Sequence, residues 1–323
     1  MNGSDTTFDL VAAGELLVDM TPVSTPDGVC FQPNPGGAPC NFLAMAQKMG
    51  ARTAFIGKVG ADRFGQMLRK TITDIGIDAS GLVMDSSLPT TLAFVHLDAS
   101  GDRSFSFYRK GCADVGLEQG EVDMSILKRT GGFYFGSLAF TDEPLRSVAT
   151  ALIAEAKKQA VTVCYDPNYR PLLWPSQEAA VEAMRFGLQF ADVLKVSEEE
   201  ALLLTGKSSP EEAAKILSEH GIALVCVTLG EKGVLARFKG FDISIPGIKV
   251  KVVDTTGAGD AFFGTLMQQI ACSPKKLETL EKGELTLMLR TANAAAALCV
   301  QARGAIPALP DRERVLKELA RSE

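Results

Sequence analysis

Histidine and tryptophan are scarce in this chain: 323 residues hold two histidines, His96 and His220, and one tryptophan, Trp174. Two imidazoles leave little from which to build a His-ligated metal site or a His-centred triad. Cysteine pairs are missing too. Seven cysteines stand singly at 30, 40, 112, 164, 226, 272 and 299, with no C-x-x-C spacing. An odd number of scattered thiols in apolar surroundings fits buried free cysteines in a reducing cytosol, not a disulfide framework. Positive charge is not in excess, since the net charge is −6. That argues against a nucleic-acid partner while permitting a local positive pocket. No apolar run approaches the ~18 residues of a membrane span, and the first residues show no signal-peptide pattern, so a cytoplasmic location is expected. There is no Gly-x4-Gly-Lys-Ser/Thr loop, which excludes a Walker-type nucleotide site. A dinucleotide fingerprint beginning at Gly257 fails because Phe262 stands where its third glycine belongs.

What is present is 46% hydrophobic and 22% charged, the composition of a globular enzyme with room for one large α/β domain plus an insertion. Strand-like runs at Phe8–Leu17, Thr53–Val59, Phe133–Gly136, Val161–Asp166, Val193–Val196 and Ala223–Leu229 alternate with helical patterns. The helices are expected at Asn41–Met49, Phe64–Ile75, Pro144–Lys158, Gln177–Gln189, Glu198–Leu204 and Pro210–His220. This rhythm predicts a parallel sheet covered on both faces. A hairpin turning at Lys239-Gly240 follows, and two helical stretches, Asp260–Ile270 and Glu284–Cys299, close the domain. One region breaks the pattern. Thr90–Leu97 and Arg103–Arg109 form a hairpin across Asp98–Asp102 with no helix between, and 17–35 is extended and Pro-rich. Both are expected in a small β-layer with Phe105 and Phe107 on one face, an apolar surface suited to a lid or to a partner subunit.

The chemistry concentrates in Asp254-Thr-Thr-Gly-Ala-Gly-Asp260, which reads as a Gly-rich loop opening a helix. Backbone N–H groups of Gly257, Ala258 and Gly259 would converge at a helix N-terminus, a nest for a phosphate whose charge grows during transfer. A carboxylate beside an anion hole repels its ligand, unless Asp260 takes the proton of an attacking hydroxyl. The competing reading is an ordinary turn before an N-capped helix.

The order of motifs resembles the PfkB, or ribokinase-like, carbohydrate kinases. The resemblance rests on Gly14-Glu-Leu-Leu-Val-Asp19, Gly36-Gly-Ala-Pro-Cys-Asn41, Phe55–Gly60, Phe107-Tyr-Arg109, Asp166-Pro-Asn-Tyr-Arg170, Thr228-Leu-Gly230 with Gly233, the Asp254–Asp260 loop, Asn293–Ala297 and Arg303–Pro307. Within the family the pattern is most similar to fructokinases. The resemblance implies a single domain over 1–323: a doubly wound, mostly parallel sheet flanked by helices, with a small β-lid at about 17–35 and 88–117. It implies Asp260 as general base and Gly257, Ala258 and Gly259 as the anion hole. Asp19, Gly36, Gly37, Asn41, Tyr108, Arg109 and Arg170 would hold the sugar. Lys195, Thr228, Gly230, Gly233 and Asn293 would serve ATP. Glu200 would meet Mg²⁺ through water, although Ser197 replaces the family's asparagine in that motif. Asp254 and Thr256, near Cys299–Ala308, would hold K⁺. The expected partners are a sugar, ATP and a second copy of the chain paired through the lid, with neither nucleic acid nor membrane. The expected reaction is ATP-dependent phosphorylation of D-fructose at the 6-hydroxyl. The alternatives are a 2-keto-3-deoxygluconate kinase and a catalytically silent sugar-binding or regulatory protein.

Overall fold

The computed structural model describes residues 7–25, 28–97 and 103–322. The first half contains β1 (Phe8–Ala13), β2 (Leu17–Thr25), β3 (Gly28–Gly36), α1 (Ala38–Lys48), β4 (Thr53–Gly60), α2 (Arg63–Ile75), β5 (Asp78–Asp85), β6 (Leu92–Leu97), β7 (Arg103–Tyr108), β8 (Thr130–Gly136) and α3 (Leu145–Lys158). The second contains β9 (Thr162–Asp166), α4 (Gln177–Leu188), β10 (Val193–Ser197), α5 (Glu198–Thr205), α6 (Pro210–Ser218), β11 (Leu224–Thr228), β12 (Gly233–Phe238), β13 (Phe241–Pro246), α7 (Ala258–Ala271), α8 (Lys282–Cys299) and α9 (Arg312–Arg321).

Nine strands form one sheet in the order β13-β12-β11-β10-β9-β8-β1-β4-β5. Pairing is parallel from β5 through to β11, and antiparallel only between β11 and β12 and between β12 and β13. Successive strand residues serve opposite faces, as the two-residue period requires. Tyr134 packs with Phe42 and Phe263 under α1 and α7, while Phe133 and Phe135 join Tyr165 under α3 and α4. Both faces are buried, which is why these strands read as unbroken apolar runs. From β1 the chain winds outward to β4 and β5, then returns to β8 on the other side of β1. That reversal opens a crevice at the carboxyl ends of the central strands, the place where open α/β sheets hold ligands.

A second sheet, in the order β3-β2-β6-β7, stands apart from the first. Its formation corrects one expected strand: Phe8–Leu17 is not continuous. Gly14 has a φ of 148° and turns the chain out of the large sheet, so β2 begins a new one. The turn at 98–102 and the side chain of Phe105 lie outside the described residues. Two elements went unpredicted, β5 and α9. The first is an edge strand of mostly half-buried residues, and the second buries only Val315 fully. The strand carries no clear apolar alternation, and the helix is short and strongly charged. Five of the cysteines are buried and free as expected, while Cys30 and Cys272 are exposed. No described helix is long and apolar enough to cross a membrane.

Candidate active site

The head of α7 lies at the crevice. Gly257 caps the helix in a left-handed conformation, and Asp260 falls in the first turn. Close packing then brings in α1: a Cβ on Gly264 would lie 2.4 Å from the Phe42 carbonyl oxygen, so the two helix backbones nearly touch. This contact places Asn41 opposite Asp260, and its Nδ2 donates to Asp260 Oδ2 at 2.8 Å. The Asn41 Oδ1 is buried with no protein partner, an acceptor open to a hydroxyl donor. Burial raises the Asp260 pKa above its ordinary value, against the pull of Lys195, the Asn41 amide and Arg170.

Lys195 comes from β10 and Asp166 from the end of β9. Their Nζ and Oδ2 are 3.0 Å apart, with side chains only 8% and 1% exposed. Burial opposes the ammonium charge, but Asp166, Glu200 and Asp260 together raise the Lys195 pKa. A Cβ on Gly259 would lie 2.8 Å from that Nζ, so the cation adjoins the Gly257–Gly259 amides. Asp19, on β2, faces the same centre. Burial pushes its pKa up to about 6; Arg170 opposes the rise, while Asp260 and Asp254 add to it. Arg170 is half-buried, and one Nη1 hydrogen bond goes to its neighbour Tyr169. Gly36 lies across from the Asp19 carboxylate, and Gly37 precedes α1. The structure thus gathers Asp19, Gly36, Gly37, Asn41, Arg170, Lys195 and Gly257–Asp260 around one crevice.

Other residues fall elsewhere than expected. Arg109 is 4% exposed and fully engaged: Nε donates to Asp114 at 2.6 Å, Nη1 to Thr141 at 2.7 Å and Nη2 to the Leu138 carbonyl at 3.0 Å. A ligand would have to displace these bonds, so the geometry favours a buried tie for Arg109 over the sugar contact expected of it. Tyr108 also moves. Strand register sets Asp19 beside Ala93 and Phe107 on one face of the small sheet, with Tyr108 and Phe94 on the other. Tyr108 is 64% exposed and meets Phe94 edge-on. The residue on Asp19's face is Phe107, which counting by twos from the hairpin could have found.

On the β11–β13 side, Gly230 is exposed, and the half-buried Thr228 donates to the Val196 carbonyl. Gly233 is buried, and a Cβ there would lie 2.0 Å from the Ile245 carbonyl. Asn293 donates to the Pro246 carbonyl at 2.8 Å, tying α8 to β13. These contacts give both residues packing roles beside the nucleotide roles expected of them. Ser197 is the N-cap of α5: its hydroxyl accepts from the Glu200 N–H, and Glu200 Oε2 accepts from the Ser197 N–H. Glu200 Oε1 accepts from Tyr169 N–H at 2.7 Å. With both oxygens so oriented, Glu200 suits an outer contact to a hydrated ion rather than a direct ligand. Among the described residues no cluster of three His, Cys, Asp or Glu could hold a metal alone. The 254–256 loop does meet the segment after α8: Val253 and Asp254 N–H groups reach the Val300 carbonyl, and Asp254 Oδ2 accepts from Gly304 N–H at 3.0 Å.

One residue the sequence did not single out is Glu15, in the break between β1 and β2. It is 4% exposed, accepts from the Ala38 N–H at 3.1 Å, and is pushed up to about 7 by burial despite the Arg109 charge. A glutamate inside an apolar stretch was the available signal.

Comparison with known proteins agrees with this geometry. Residues 5–312 match the model of the pfkB family carbohydrate kinases. Probable fructokinase-5 of Arabidopsis thaliana is 39% identical over 316 residues, covering 95% of this chain and 97% of that protein. The crystal structure of Xylella fastidiosa fructokinase with bound ATP superposes with a TM-score of 0.90 at 30% identity, covering 98% and 99% of the two chains. A double mutant of Vibrio cholerae O395 fructokinase, in its fructose, ADP and potassium ion bound form, gives 0.88 at 33% identity, covering 98% and 99%. A doubly wound sheet with a carboxylate at the head of α7, matched over nearly its whole length, places this chain in the pfkB family of carbohydrate kinases.

Proposed function

We propose that the chain is an ATP-dependent fructokinase that phosphorylates D-fructose at the 6-hydroxyl. The observation that carries this reading is Asp260: a partly desolvated carboxylate held by Asn41 beside three helix-terminal amides, with Lys195 behind them. A sugar hydroxyl next to Asp260 would lose its proton to that carboxylate as its oxygen attacks the γ-phosphorus. The Gly257–Gly259 amides and the Lys195 charge then stabilise the equatorial oxygens in transfer. Asp19, Asn41 Oδ1 and Arg170 would fix the sugar so that one hydroxyl points at Asp260. Thr228 and Gly230 would border the nucleotide. A bound Mg²⁺ would supply charge neutralisation across the phosphates, and Glu200 would orient its water shell. The site argues against an acidic sugar: Arg109 is already neutralised by Asp114 and buried, so it offers no cation to a carboxylate. ADP release measured across fructose, glucose, ribose and 2-keto-3-deoxygluconate is expected to be fastest with fructose. A preference for the sugar acid would replace this reading, and no turnover on any sugar would favour the silent binding protein.

Gly36→Ala tests the sugar side. Its Cβ would fall 2.2 Å from Asp19 Oδ2 and must push that carboxylate aside. Because a flexible side-chain end gives way, stability should be nearly kept. The sugar KM should rise about 10- to 100-fold, the worth of one or two charge-assisted hydrogen bonds. An unchanged KM would remove Asp19 from sugar binding.

A monovalent cation at the junction of 254–256 and 299–308 would brace the Gly257–Gly259 amides; the similar Vibrio cholerae fructokinase has a potassium ion bound form. Replacing K⁺ by tetramethylammonium at equal ionic strength should lower kcat more than KM; equal rates would dismiss the site.

The small sheet would cover the sugar with the face that carries Asp19. Its other face leaves Val29, Phe31 and Tyr108 65%, 38% and 64% exposed, an apolar surface suited to a second copy. Phe107 lies on the face of Asp19 and therefore does not supply that surface. Sedimentation at micromolar concentration should show a homodimer; a monomer would refute the pairing but not the cover.

A further inference from the structure

Two roots join the small sheet to the body of the protein. In the first, between β1 and β2 on one side and β3 and α1 on the other, Glu15 Oε1 clips the Ala38 N–H. In the second, Thr90 donates its N–H and its hydroxyl to Asp62, each at 2.8 Å, and the Ala113 N–H meets the Pro89 carbonyl at 2.9 Å. Thr91 donates to Asp114 Oδ1 at 2.5 Å, and the other Asp114 oxygen receives Arg109 Nε. Arg109 then leaves the root altogether. Its two terminal nitrogens grip Thr141 and the Leu138 carbonyl, a sill that follows β8 in the main sheet. Glu15 acts on the same guanidinium by charge, so Arg109 sits between both roots and the body.

We propose that Arg109 is a positioning residue whose planar fork clamps the roots of the small sheet to the Leu138–Thr141 sill, and so fixes the sheet in its sugar-covering position. Three side-chain nitrogens pointing to three different places define an orientation, which a single ammonium does not. Asp114 and Glu15 are the counter-charges that keep the buried guanidinium ionised. The proposal rests on the reading that the small sheet covers a sugar. If the covering position is nearly fully populated in the native protein and falls to about a tenth when the clamp is loosened, apparent sugar affinity falls about tenfold. Saturating sugar restores the covered state, so kcat is spared. The nucleotide would lie toward β10 and β11, and its KM should not follow.

The test compares wild type with Arg109→Lys and Thr141→Val, the second removing the acceptor of Arg109 Nη1 together with that hydroxyl's own bond to the Leu138 carbonyl, both on the sill. Amide hydrogen exchange without ligands should be at least about tenfold faster in β6 and β7 of Arg109→Lys, with β9 to β11 unchanged. Kinetics should show the sugar KM up about tenfold, with kcat and the ATP KM within about twofold. Thr141→Val should move both readouts the same way by less, and it carries the test alone if Arg109→Lys does not fold. Exchange that is unchanged, or that rises equally everywhere, overturns the clamp. So does a fall in kcat at constant sugar KM, which would put Arg109 in the chemistry. If wild type phosphorylates no sugar, the functional reading fails, and the exchange data still decide whether the clamp exists.

Discussion

Replacing Asp260 by asparagine is expected to leave a folded protein that binds ATP, and to lower kcat by about 10²–10⁴-fold, the usual worth of a positioned base. The change keeps shape, and the new amide oxygen can still accept from Asn41 Nδ2. What disappears is the ability to take a proton. A companion result is expected in wild type. Because burial raises the Asp260 pKa, kcat/KM should fall on the acid side around a midpoint above the ordinary 3.8 of a free aspartate. Below that midpoint the base is protonated and idle; above it the carboxylate is available. In the asparagine variant this acid limb should shrink or vanish. A variant retaining more than a tenth of wild-type kcat would sink the assignment of Asp260 as base.

Lys195→Met should produce the largest loss of stability. Lys195 and Asp166 are a buried pair, and removing one partner strands the other charge in a dry interior, at a cost of about 3–5 kcal/mol. Methionine nearly matches the lysine stem in volume, so the effect reports charge more than packing. Urea unfolding measures it directly. The double variant Lys195→Met, Asp166→Asn should regain part of the loss, since no uncompensated carboxylate remains. A single variant as stable as wild type would mean that Asp166 gives up its charge at little expense, and that the pair is not structural. The same substitution removes a positive charge beside Gly259, so ATP turnover should also drop.

Much of this was legible in the chain because its signals are local. Buried parallel strands show as apolar runs whatever surrounds them, and the Asp254–Asp260 loop reveals a helix head by its glycines. The exceptions share one cause: the deciding partner lies far away in sequence. Arg109 reads as a free cation next to a tyrosine, and nothing nearby says that Leu138 and Thr141 will occupy it. Asn293 reads as a polar group on a small-residue helix, until β13 supplies Pro246 as its acceptor. Tyr108 and Phe107 differ by one position, and only strand register tells which shares a face with Asp19. Glu15 was hidden in another way. Its neighbours made a continuous strand plausible, and the turn at Gly14 that exposes its role depends on how α1 packs.

The hydrogen bond between Asn41 and Asp260 joins residues 219 positions apart. A ribosome therefore has to release four-fifths of the polypeptide before Asp260 meets Asn41. Until then Asn41 and the rest of α1 have no α7 to pack on. A nascent chain, or one terminated before α7, is thus unable to spend ATP, because catalytic competence arrives late in synthesis and folding.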